Sequence, residues 1–483
     1  MVGLLVAAIA VQAGIGLWRV AIIYRQGLQA GVRPFAWSTG LALELLLAAA
    51  LAAVAWWWLP AGRRRHAAQW GIHFLALAWF LALAHLAYGM LVGRLDRAVT
   101  WALLGALAAV GALVRRRPAE PVAPTPPLDR AGRLALWGAA GFWALQLPNL
   151  VFPYHWFDAK AVWACRAVQF TARGSLAGIF DCQGPERAPV HSLVLWLGHT
   201  NPVVEGRLLP ILMVGAFGLA FYPLARRVAP RLAPWAVLWL FATNRVYQGA
   251  INAYADVPVM IAVAIGLALA VDDGRLVSPR WLALTVGLLA GAAAALIKRD
   301  GLAMVGVGTI VLLWTAERRR DARLWMPLLG GVAAYLGWHF RPDWLAAPPQ
   351  FALKLEQLEP ATLSIGAVLR SLWTIFYGMQ GQLLSHYAFG LFAIGWLAVA
   401  VWLARRGGGI PGGVARRLGL AGLAGWATVA LLYVVLTFTG HPHMGTLFII
   451  RTGFSRHLVH TFPLCLLLAA AMVERLLTIE RSG

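Results

Sequence analysis

The chain has 483 residues, 60% of them hydrophobic and 12% charged, with a mean hydropathy of +0.70. Soluble domains of this length do not carry so little charge, and repeated apolar runs of about 18 residues or more are each long enough to cross a roughly 30 Å hydrocarbon core. The net charge of +22 and pI near 11.2 do not argue for nucleic acid, because the basic residues fall in short clusters between apolar spans, as topology control requires.

An all-α integral membrane protein is therefore expected, with about fourteen transmembrane helices. The spans fall roughly at 2–23, 41–59, 69–91, 98–114, 135–152, 206–225, 233–250, 257–271, 281–297, 301–316, 324–340, 386–404, 418–438 and 458–476. The first apolar run has no basic stretch before it and reads as a retained helix, not a cleaved leader. The 24 Trp suit rings at headgroup level, and Trp56, Trp57 and Trp58 are expected to anchor a helix end. Alternation collects Arg63–Arg65, Arg115–Arg117, Arg226, Arg227, Arg231, Arg318–Arg320, Arg323, Arg405, Arg406, Arg416 and Arg417 on one face. That face is expected to be cytoplasmic and to carry both termini.

The Pro-rich and charged stretch RRRPAEPVAPTPPLDRAGR is the clearest linker. It divides an N-terminal four-helix membrane region (1–115), through a cytoplasmic linker (116–133), from a core at 134–340. An outer loop and C-terminal helices follow at 341–483. No internal repeat is visible. On the outer face lie 153–205, 341–385 and 439–457. Within the first of these, AKAVWACRAVQFTARG has helical apolar spacing and reads as a helix lying in the membrane interface.

Four polar positions are expected to share that outer face. Asp158 ends the fifth span, Asp256 begins the eighth, Lys298, Arg299 and Asp300 join the ninth and tenth, and Arg456 and His457 precede the last. Singly, an acid at a helix end is more often a solvated residue or a cap, and a terminal Lys or Arg more often snorkels. Together, ionisable groups near hydrocarbon on one face point to a shared site. Transfer of a group from a lipid phosphate suits such a set. The leaving phosphate needs charge stabilisation, which Lys298, Arg299 and Arg456 supply, and the acceptor must lose a proton, for which Asp158 is the natural base. Asp256 either orients the acceptor or shares a divalent cation, Mg or Mn, with Asp158; no other cofactor is assigned. His155, Asp300 and His457 complete the acceptor side of the cavity, and apolar walls hold the prenyl chain.

At these residues the chain resembles the GT-C glycosyltransferases that use lipid-linked sugars, such as protein O-mannosyltransferases and the bacterial aminoarabinose transferase acting on lipid A. The resemblance rests on Asp158 in WFDAKAVW, on RAPVHSLVLWL after it, on Asp256 in YADVP, on Lys298–Gly301 and on SRHLVHTFPLCLLLAA. It covers roughly 135–340, and 441–476 more loosely. It implies a GT-C-like core, a sugar moved from a polyprenyl-phosphate donor to an extracytoplasmic lipid, glycan or protein acceptor with inversion, and a bacterial inner-membrane location. Asp158 stands before Ala159 where a paired acid is usual, and the large soluble C-terminal domain of several members is lacking.

The alternative is a polytopic transporter or flippase for a lipid-linked or anionic substrate, which would favour ionisable groups near the bilayer midplane and related halves. A non-catalytic scaffold is the third reading. Among the remaining residues, Cys165 and Cys182 are expected as two reduced thiols, with a disulfide as the alternative. Cys465 is expected in packing, Arg19 and Glu44 as a structural pair, and His441 and His443 as too few ligands for a metal.

Overall fold

The computed structural model describes residues 38–59, 67–115, 128–147, 159–184, 187–198, 207–243, 245–246, 254–272, 276–277, 279–316, 320–346, 413–438 and 454–482, with scattered positions in 10–25 and 365–377. Among them there is no strand. The long helices are α1 (Ser38–Trp57), α2 (Ala67–Val92), α3 (Arg97–Arg115) and α4 (Arg130–Ala144). A π-helical turn (Ala159–Ala164) leads into α5 (Cys165–Arg173), and a 3-10 turn (Leu176–Asp181) separates it from α6 (Val190–Gly198). Then come α7 (Leu208–Val228), α8 (Ala233–Ala242), α9 (Asp256–Val271), α10 (Arg280–Ile297), α11 (Arg299–Thr315), α12 (Ala322–His339) and α13 (Gly413–Phe438). Helical turns over Ser455–Leu458 and Val459–Thr461 run into α14 (Phe462–Ser482).

Four helical stretches among the described residues are long and apolar enough to cross a membrane: Ala67–Val92, Leu208–Val228, Arg280–Ile297 and Arg456–Thr478. Backbone polar groups in hydrocarbon must be satisfied within the segment, which helices achieve. Helices also stand at the expected spans 41–59, 98–114, 257–271, 301–316, 324–340 and 418–438. The span 386–404 lies outside the described residues, as does most of 2–23. Two boundaries differ from expectation. Asp129 accepts a 2.7 Å bond from the Gly132 amide, so α4 starts at Arg130, inside the stretch read as linker. Helix α8 stops at Ala242, short of the expected 250, because Thr243 turns extended.

The N-terminal helices pack directly on the rest. Gly71 of α2 lies against the carbonyl of Ala216 in α7, and a Cβ there would reach 2.3 Å from that oxygen. The Glu44 carboxylate of α1 accepts the Leu208 and Leu209 amides at 2.7 and 3.4 Å, filling the N-terminus of α7. Arg19, its expected partner, lies outside the described residues. Helices α10 and α12 meet along a glycine seam: the Pro327 carbonyl sits over Gly291, and the Leu288 carbonyl over Gly330. Cys465 is buried in α14 against Gly422 of α13.

The helix expected at the membrane interface is present as α5, but its apolar side faces protein. Val162, Trp163, Ala167 and Phe170 are all at most 3% exposed. Arg166, fully buried, donates to the carbonyls of Arg187, Gln183 and Gly184, and so holds these residues over α5. Cys165 and Cys182 are joined in a disulfide with Cα atoms 5.9 Å apart, where reduced thiols were expected. The reason is the same fold-back: it brings α5 and the 3-10 turn side by side. Trp56 and Trp57 stand exposed at the end of α1, whereas Trp58 turns inward and donates to the Leu107 carbonyl at 2.8 Å.

Candidate functional site

Helix α9 opens on Asp256, one residue ahead of an unbroken apolar run. No charge on its own helix can compensate it, so its partners come from elsewhere. Lys298 is one of them. It is the single extended residue between α10 and α11, with φ −158° and ψ 138°, and the chain doubles back there because Gly301 fits against the Ala294 carbonyl. A Cβ on Gly301 would come within 2.1 Å of that oxygen, so only glycine allows this approach. Lys298 Nζ donates to Asp256 Oδ1 at 2.8 Å and lies 3.2 Å from Asp300 Oδ2.

The helical turn before α14 supplies the rest. Arg456 and His460 are four residues apart and face the same way. Arg456 Nε donates to Asp256 Oδ2 at 2.9 Å, and His460 Nε2 meets Oδ1 at 3.1 Å. The Arg456 guanidinium also lies 4.3 Å above the Tyr254 ring. His457, one position on, reaches Asp300 Oδ2 through Nε2 at 2.9 Å, while its Nδ1 is 2.8 Å from the Tyr433 hydroxyl of α13. An ionised carboxylate only accepts, so both imidazoles carry their proton on Nε2. In neutral His457, Nδ1 then accepts from Tyr433.

Helices α9, α11 and α13 and the turn before α14 thus deliver one continuous chain of contacts: Tyr433, His457, Asp300, Lys298, Asp256, and then Arg456 and His460. The side chains of Asp256 and His460 are 6% and 0% exposed, and that of Asp300 is 25% exposed. Burial pushes the Asp256 carboxyl up, but Arg456, Lys298 and His460 outweigh it and hold it well below the usual carboxylate range. Asp300 is likewise held well below that range, against burial, by Lys298 and His457. Beside the network runs a narrow, mostly apolar cleft between α6, α7, α9 and α10, lined in part by Tyr254, Val257, Ile261 and Ile297.

Of the residues expected at the site, Asp256, Lys298, Asp300, Arg456 and His457 come together. Asp158 and His155 lie outside the described residues, as do His441 and His443. Arg299 is at the same helix junction but exposed, and it makes no ion pair with the network. The divalent-cation reading does not fit Asp256 as it stands. Three nitrogen donors occupy its two oxygens, and no group of three metal-ligating side chains occurs among the described residues. His460, Tyr433 and Tyr254 were not expected at the site. His460 was legible, since it shares a helix face with Arg456; the tyrosines carried no sequence signal. No family model matches the chain, and neither a curated protein nor a solved structure gives a significant match.

Proposed function

We propose that the chain is a membrane glycosyltransferase of GT-C type, with about fourteen spans, a GT-C-like core and both termini cytoplasmic. It moves a sugar from a polyprenyl phosphate to an extracytoplasmic acceptor. The observation that carries this reading is the convergence of two carboxylates, a lysine, an arginine and two histidines, from separate segments, beside an apolar cleft. Ionisable groups buried in this way are costly and cluster at functional sites. Their position at helix ends favours a site at the membrane surface over a transport path through the midplane. The Cys165–Cys182 disulfide supports an oxidising compartment, hence the extracytoplasmic face of a bacterial inner membrane, for the segment that follows Asp158.

In this reaction the acceptor oxygen or nitrogen attacks the anomeric carbon from the side opposite the phosphate. The bond from that carbon to the phosphate oxygen breaks, and its electron pair leaves on the polyprenyl phosphate. The acceptor proton passes to the Asp158 carboxylate, and configuration is inverted. Asp256, with both oxygens engaged and its carboxyl held strongly acidic, is a poor base; its part is to hold Lys298, Arg456 and His460 in place. Positive charge fixed in advance around the leaving phosphate lowers the barrier without reorganisation.

The test is transfer of labelled sugar from polyprenyl-phosphate donors by the protein in membranes. Asp158→Asn should insert normally and lose at least about 100-fold in rate, the usual scale of a general base. Full activity in that variant would remove Asp158 from the base role. Donor uptake into proteoliposomes without any transfer would replace the enzyme by the transporter reading.

A further inference from the structure

The proposed reaction leaves helices α1–α3 without a part, and their contacts supply one. The cleft beside the network has two sides. Helices α9 and α10 form one, and they carry Asp256 and lead into Lys298; His191 and Val194 of α6 with Pro210 and Met213 of α7 form the other. The N-terminal helices touch this second side repeatedly. The His85 ring of α2 lies 5.2 Å from the Trp196 ring of α6, and the Arg97 guanidinium at the start of α3 lies 5.5 Å from the same ring. The Leu95 amide, between α2 and α3, donates to the Gly174 carbonyl at the end of α5 at 2.7 Å. Gly71 of α2 rests on the Ala216 carbonyl of α7. Glu44 reaches α6 and α7 at once. It is the single charged residue of α1 and is 1% exposed. Its Oε1 accepts the Leu208 and Leu209 amides, so it holds the first turn of α7 immediately ahead of Pro210. The same oxygen stands against Gly198, the last residue of α6 and one turn beyond Val194. A Cβ on Gly198 would come within 2.6 Å of it.

A carboxylate buried in an apolar helix costs more than an apolar residue of the same size, unless it secures a geometry that matters. We propose that Glu44 is a positioning residue for the cleft: through it α1 fixes where α6 ends and α7 begins, and so sets the spacing between the α6–α7 side and the side that carries the network. Glu44 touches no reacting atom. The inference rests on the transferase reading, under which the cleft holds the polyprenyl-phosphate donor beside Asp256, Lys298 and Arg456. Reacting groups tolerate little displacement, and the residues that support a site decide how tightly it is held. Without the two amide bonds the first turn of α7 loosens and the cleft varies in width. Donor binding then weakens, while the network and the chemical step it serves stay intact.

The experiment compares the wild type with Glu44→Gln, Gly198→Ala and Glu474→Gln, each as the full chain in nanodiscs. Glu44→Gln keeps the shape and removes the charge. Gly198→Ala keeps the charge and displaces the carboxylate, and it carries the test if Glu44→Gln fails to fold. Glu474→Gln is the control. Glu474 of α14 also accepts two amides of a remote segment, those of Arg231 and Leu232 at 3.1 and 3.2 Å just ahead of α8, but none of these residues lines the cleft. Hydrogen exchange over 207–214 should quicken about tenfold in the first two variants and not in the control. The KM for a polyprenyl-phosphate sugar should rise about tenfold in the same two, with kcat within about twofold, the scale of one lost charge-assisted hydrogen bond. In a Glu44→Ala background, Gly198→Ala should add nothing, because the oxygen it would meet is gone. An unchanged KM in Glu44→Gln and Gly198→Ala would overturn the proposal, whether or not exchange quickens. So would an equal rise in Glu474→Gln, or a fall in kcat alone, since either marks general destabilisation. Failure of the transferase reading shows differently: a wild type that transfers no sugar removes the enzyme, while faster exchange over 207–214 in the two variants keeps α1 as the brace of the cleft.

Discussion

Helix α9 carries an aspartate at each end, and the two ends are built differently. Asp272, which caps the last turn, is just as buried as Asp256, but one of its oxygens serves the backbone: Oδ2 accepts the Leu276 amide four residues on, at 2.8 Å, while Oδ1 lies 3.4 Å from Arg227 of α7, 45 residues away. Near it a second acid, Asp321, gathers two arginines. Arg323 engages Asp321, two residues away, while Arg280, 68% exposed, reaches the same acid at 3.3 Å. About 24 Å away, at the rise of a 16-residue helix, Asp256 caps nothing. Its partners Lys298, Arg456 and His460 are 42, 200 and 204 residues distant in sequence. The first arrangement closes a loop and satisfies backbone groups that any helix end leaves open. The second meets no backbone need and gathers buried charge from across the chain. An ion network of that kind contributes little net stability over an apolar core, so a functional role is the better account of it.

Substitutions can break this contrast. The largest effect is expected from Asp256→Asn. It leaves Lys298 and Arg456 without their buried counter-charge, and stability in detergent should fall by about 3–5 kcal/mol, the cost of stranding one side of a buried pair. A melting temperature unchanged by Asp256→Asn would mean that the network is solvated. Acid should reveal the same asymmetry. Asp256 and Asp300 have folded-state pKa values depressed below the ordinary 3.8, so their stabilisation is fully present above that pH and is lost as pH falls through it toward the folded value. Thermal melts should therefore be nearly flat from these two groups between about pH 5 and 8 and drop below about pH 4, and the drop should shrink in Asp300→Asn. The smallest effect is expected from Asp272→Asn, about 1–2 kcal/mol for the weakened loop bond and the 3.4 Å ion pair, with lipid binding and transfer unchanged. A loss of transfer in Asp272→Asn comparable to that in Asp256→Asn would erase the distinction between the two ends.

Much of the site could be read from the chain because charge in an apolar setting is rare enough to notice. Asp256, Lys298, Asp300, Arg456 and His457 all stand at the ends of apolar runs, and alternation alone assigns them to one side. The geometry among them could not be read the same way. Arg299 sits next to Lys298 in sequence, but it is exposed and makes no ion pair with the network. Tyr433 lies inside an apolar helix and looks like packing until His457 is placed beside it. The disulfide escapes the sequence for a related reason: it follows from how Arg166 holds Gln183, Gly184 and Arg187 over α5, which spacing does not encode.

Sequence by itself determined the helical character, the apolar runs and which residues would be too costly to bury without partners, since these follow from composition and local periodicity. Tertiary structure alone decided which cation meets which acid, that nitrogen donors engage both Asp256 oxygens, and that Arg299 stays exposed outside the network. Those are questions of distance between segments remote in the chain, and Coulomb interactions at contact range depend on ångström positions that helix packing sets.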